Sequence, residues 1–183
     1  MAARMRGNDG RVAPGWRLAI WGGAAAVLSL PALAMWLGAD GVYWTALDFA
    51  VMAALLAAAC GGWELAMRLS RGSTAYRLGA CLALGCGFLL AWINLAVGIV
   101  GEPEHPANLA FFGVVAVAIA GAALARCRAS GLARAMNAAA AAQLLAGAIA
   151  LASRSTEGVA LALVFAALWA CAGQLFRRAG RAR

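Results

Sequence analysis

The polar side chains that stand inside otherwise apolar stretches of this chain include Asp48, Glu64, Asn94 and Gln143. A carboxylate or amide surrounded by hydrocarbon is costly, so each asks for a partner or a purpose. Asp48 lies about one helical turn inside its apolar run, and Asn94 lies at a similar distance from the end of the next one. Sequential helices usually neighbour each other, so a hydrogen bond between Asp48 and Asn94 would clamp the pair. Asp48 could instead bind a proton or cation, or cap its own helix. Glu64 precedes Arg68 by four residues, the favourable order for an ion pair on one helical face. Arg77 is a second possible partner for it. Asp48 and Glu64 fall about 160° apart around a helix, which disfavours a carboxylate relay along one face. Gln143 sits near the middle of an alanine-rich run, with Asn137 about two turns away. Midplane amides of this kind knit helices together or contact a bound solute.

Conventional catalytic chemistry finds little to work with. His105 is the one histidine. Bis-histidine haem ligation within the chain is therefore excluded, and histidine-based zinc sites lack ligands. Glu102, Glu104 and His105 cluster around Pro103 and just before Pro106, where a rigid, proline-braced turn is a better reading than a divalent-ion site. Asn108, just after them, suits the cap of the next helix. Cys60, Cys81, Cys86, Cys127 and Cys171 show no C-x-x-C spacing and read as small buried apolar residues. No nucleophile–base pair and no lysine-ended phosphate loop is present, so no catalytic residue, cofactor or metal is expected, and an enzyme is not the favoured reading.

The elements that must carry these residues are transmembrane helices. Hydrophobic residues make up 65% of the chain and charged residues 12%. Six apolar runs, at roughly 18–38, 45–67, 78–100, 108–125, 134–152 and 157–176, each suit a bilayer crossing of about 20 residues. They predict an all-α polytopic bundle over residues 17–176, with a polar N-terminal tail at 1–16 and an arginine-rich tail at 177–183. Lysine is absent, and the basic residues are 15 arginines. All but Arg154 fall before the first run, in or at the edge of the second and fourth gaps, or after the last run. That alternation is the positive-inside pattern, and it predicts both termini in the cytoplasm. It also accounts for the net charge of +8 without nucleic acid, the arginines lying at the level of anionic headgroups. Ambiguity attaches to the first run: Pro31-Ala32-Leu33-Ala34 is similar to a signal-peptidase site, although Met35, Trp36 and Leu37 extend the run to a spanning length. The reading kept is a retained helix bent near Pro31. The alanine-rich fifth run, with Ala138 to Ala142 unbroken, is expected to be central and covered by protein.

The stretch from Trp92 to Glu102 (W-I-N-L-A-V-G-I-V-G-E), followed by Pro106-Ala107-Asn108, resembles a block found in a family of small uncharacterised bacterial polytopic inner-membrane proteins. Asp48-Phe49, Glu64 and Tyr76-Arg77 fit the same pattern. The resemblance covers the second to fourth runs. It implies a multi-pass protein of the bacterial cytoplasmic membrane, and it carries no activity, substrate or cofactor. Composition and spacing leave two functions in view. The first is a non-enzymatic accessory or interaction subunit, binding a membrane protein or a second copy of itself. The second is a small transporter for a solute, or one coupled to protons or cations, using Asp48, Asn94 and Gln143. The threading has a direct check. A reporter fused after Arg183 should be active only in the form that works in the cytoplasm, and activity of a periplasm-dependent reporter there would overturn the topology.

Overall fold

The computed structural model describes residues 14–181. Arg4, Arg6, Arg11 and most of the expected N-terminal tail lie outside the described residues, as does Arg183. Within them the chain is helical, with six helices and no strand: α1 Pro14–Trp36, α2 Ala46–Leu69, α3 Thr74–Ala96, α4 Asn108–Leu124, α5 Ala129–Ala152 and α6 Thr156–Arg181. Five of these are long and apolar enough to cross a membrane. The sixth, α4, has 17 residues and falls at the short end of the spanning range. The protein is a multi-pass helical membrane protein.

Several helix ends differ from the apolar runs, for local reasons. The third helix starts at Thr74 rather than 78 because Ser73 caps it, its hydroxyl accepting from the Tyr76 amide. It stops at Ala96 because Gly98 takes a φ of +73°. No other residue fits at position 98, since a Cβ would lie 2.8 Å from the Gly101 carbonyl oxygen. The fifth helix begins at Ala129, five residues before its apolar run, after the left-handed pair Arg126 and Cys127. The last helix runs on to Arg181, so Arg177, Arg178 and Arg181 of the expected tail are helical. The first helix continues through Pro31.

Three helices finish in the same hydrogen-bonded motif. In α1 the amides of Gly38 and Ala39 donate to Met35 and Ala34, in α4 those of Arg126 and Cys127 to Ala123 and Ala122, and in α5 those of Arg154 and Ser155 to Leu151 and Ala150. These are Schellman closures, which satisfy otherwise orphaned carbonyls. The left-handed position is glycine in α1 and arginine, at φ +47° and +57°, in α4 and α5.

The chain divides into two compact units, residues up to Cys60 and residues from Gly61 onward. In the first unit, α1 and the N-terminal part of α2 do not pack along each other. None of residues 15–36 is buried. In the second unit, α3, α4, α5 and α6 form a closed ring in which each helix packs on the next and α6 returns to α3. The rest of α2 meets this unit where Gly62 faces Leu84. Buried residues follow a three–four spacing, as in Leu132, Met136, Ala139, Gln143, Ala146 and Ala150 of α5. Phe165, Trp169, Ala172 and Phe176 do the same on α6.

The fifth helix is one wall of this ring rather than its centre. Leu144, Leu145, Ile149 and Leu151 are exposed on its outward face. Its small residues serve close approach to both neighbours. A Cβ on Gly121 of α4 would sit 2.6 Å from the Ala135 Cβ, and one on Gly147 would sit 2.8 Å from the Ala162 Cβ of α6. Backbones this close gain dispersion contacts that lipid cannot match. Gly121→Val should therefore cost about 2 kcal/mol through overpacking. Gly113→Ala on the same helix meets nothing within 4 Å and should be neutral or stabilising. Thermal melts of the two variants in one detergent check the contrast; equal melting temperatures would remove the close-packing account.

Candidate functional site

The interior of the α3–α6 ring is lined by apolar and small residues, with a few polar exceptions. Buried polar side chains among the described residues are Ser70, Asn94, Asn108 and Gln143, all uncharged. Three of them lie on the ring's inward seams.

Asn108 opens α4 and is 2% exposed. It does not cap its own helix; Ala107 holds that position, without a side-chain bond. The preceding loop instead folds back over it. Its Oδ1 accepts from the amides of Ile99 (3.1 Å) and Val100 (2.9 Å). Its Nδ2 donates to the carbonyls of Glu102 (2.9 Å), Val100 and Pro103 (both 3.3 Å). One amide thus ties the whole 98–103 turn, and Ile99 and Val100 are buried with it. The α5–α6 turn is stitched to the same loop, since the Ser155 hydroxyl donates to the Ile99 carbonyl.

Asn94 lies one link away. Its Nδ2 donates to the Asn108 carbonyl at 2.9 Å, while its buried Oδ1 has no hydrogen-bond partner in the protein. Gln143 is fully buried, and both ends of its amide lack a partner. The indole Nε1 of Trp169, a residue 1% exposed on α6, is a further buried orphan. Trp169 is the residue that sequence reading passed over. Its signal was the three–four spacing of α6, which sets it inward.

Asp48 and Asn94, expected as a clamp, fall in different compact units, and each makes its hydrogen bonds within its own. Asp48 is exposed at the start of α2, where its Oδ2 accepts from the Thr45 amide (2.7 Å) and hydroxyl (2.8 Å). The Asp48 amide donates back to the Thr45 hydroxyl at 3.3 Å. This reciprocal capping box is the helix-cap alternative for Asp48, and its acidic group also complements the positive end of α2. Glu64 meets Arg68 at 3.6 Å, as the four-residue spacing predicts. The Arg68 side chain is 67% exposed, so the pair contributes at most a fraction of a kcal/mol. Arg77 turns instead to the Ser70 hydroxyl at 3.1 Å. Asn137 packs over Gly173, where a Cβ would lie 2.9 Å from its Oδ1. The His105 ring accepts from the Ala107 amide through Nδ1 at 3.2 Å, bracing the turn.

The loop clasp can be tested by its donors and acceptors. Asn108→Ala leaves two buried amides and several carbonyls without their partner and should cost about 3 kcal/mol. Asn108→Asp keeps the acceptor for Ile99 and Val100 and should fall between. Reversible unfolding in mixed micelles reads both, and an Asn108→Ala protein as stable as wild type would remove the clasp. Comparisons with known proteins return no match for this chain among protein-family models, curated proteins or solved structures.

Proposed function

We propose that this chain is a non-enzymatic accessory or interaction subunit of a bacterial cytoplasmic membrane, and that α1 is the helix its partner grips. The observation that carries this reading is the state of α1. It offers 23 residues of mostly apolar helix, yet it has no buried residue in its span and no extended packing with α2 in its own unit. The centre of α1 is Gly22-Gly23-Ala24-Ala25-Ala26, and nothing lies within 4 Å of where a Cβ would stand on either glycine. Small residues gain little from lipid tails but let a second helix come close. The bacterial setting is supported by the W-I-N-L-A-V-G-I resemblance and by the arginine pattern. The non-enzymatic part is supported by amides and hydroxyls, rather than acid–base pairs, as the interior polar groups.

Proton- or cation-coupled transport through Asp48 has less support, because that carboxylate is spent on Thr45. A transport reading limited to neutral solutes keeps some support from the orphaned amide of Gln143.

A photo-crosslinking residue at position 23 should trap a stoichiometric protein partner, or a second copy, in native membranes. The same residue at Leu163, which is exposed on α6, should capture lipid. Gly23→Leu should weaken partner recovery about tenfold, equivalent to 1.4 kcal/mol. Lipid adducts alone at position 23 would count against the reading. So would a mature N-terminus at Met35, which would show α1 to be removed.

A further inference from the structure

The three orphaned side chains on the ring's inner seams share one stretch of the bundle. Contacts between helices set their levels. Gly147 of α5 faces Ala162 of α6, and Asn137 faces Gly173. Those two pairings place Gln143 opposite Ala166, about 5 Å along the axis from Trp169. The far edge of the Trp169 ring lies 3.9 Å from where a Cβ would stand on Gly87 of α3. Asn94 is seven residues, or about 10 Å, beyond Gly87 on the same helix. Trp169, Gln143 and Asn94 therefore occupy successive levels of one interior column, which ends beneath the Asn108 clasp.

The column's unmet capacity is chemically specific. Trp169 Nε1 is a donor, Asn94 Oδ1 is an acceptor, and Gln143 supplies both kinds. No charged side chain is buried among the described residues, so an ion would enter without a counter-charge. Four buried polar atoms without partners within two turns would each carry a desolvation penalty that a hydrogen-bonding guest removes.

We propose that this column is a binding site for a small uncharged molecule that both donates and accepts hydrogen bonds, with Gln143 as its central contact. Water and compact polar solutes such as urea or glycerol share that chemistry. The site is independent of the partner-binding reading for α1, since all its residues lie in the second unit.

Radiolytic hydroxyl labelling of the full chain in micelles, in H218O, tests the site with water as the probe. Hydroxyl radicals form from water bound beside a side chain and mark it even where bulk solvent does not reach. Trp169 should take up label despite its burial, with exposed Tyr43 as the internal reference. Labelled Tyr43 with unlabelled Trp169 would overturn the proposal. Urea or glycerol that slows the labelling of Trp169 but not of Tyr43 assigns the site to organic solutes as well, and an unchanged rate assigns it to water. Gln143→Leu should abolish the Trp169 label; a label that persists removes Gln143 as the contact and the proposal with it. If Gln143→Leu does not fold, Gln143→Met supplies a second readout. Its melting temperature should fall by about 3 °C if a guest satisfies the amide, and should rise if the amide is idle.

Discussion

Helices in a bilayer gain nothing by hiding apolar surface from tails that are equally apolar, so the α3–α6 ring depends on how closely its backbones approach. Glycine and alanine make that approach possible. Gly121 meets Ala135, Gly131 meets Ala125, Gly147 meets Ala162, and Gly173 lies under Asn137, all at distances that leave no room for a methyl group. The same residues explain why α5 can be so poor in large side chains and still belong to a packed unit. Its contacts come from proximity rather than from bulk, while Leu144, Leu145 and Leu151 face outward.

Close approach also sets the terms for polar groups. A ring held this tightly leaves few ways for an interior amide to find a partner, and helical backbone carbonyls are already in use. Asn108 escapes because it stands where α4 begins, next to a turn whose backbone needs both its donor and its acceptor. Gln143, in mid-helix, has no such turn nearby. The contrast between these two amides, one with five bonds and one with none, follows from their positions along the helix.

Much of the architecture could be read from residue order. Apolar runs marked all six helices, and several helix ends shifted where a local device intervened, as with Ser73, Gly98 and the left-handed pair Arg126–Cys127, while α6 ran on to Arg181. The Glu64–Arg68 pair follows from spacing alone because both groups sit on one helix. Asp48 was legible as a cap once Thr45 is seen three residues earlier. Pairings between helices were not legible. Asn94 joins Asn108 because the loop's fold, set by Gly98 and the burial of Ile99 and Val100, brings α4's first carbonyl to it. The central placement expected for α5 failed because alanine content reports close neighbours, and a ring gives every member two neighbours and one free side.

The clasp around Asn108 has a consequence for how the chain is made. Its partners all lie between Asn94 and Pro103, and they need neither α5 nor α6. The third and fourth helices can therefore close as a hairpin as soon as both have been synthesised, with the Asn108 hydrogen bonds to their connecting turn already made. A nascent membrane protein whose polar turn is clasped at that stage exposes fewer bare peptide groups while it waits for the remaining helices, and the Ile99 carbonyl gains its bond from Ser155 when they arrive.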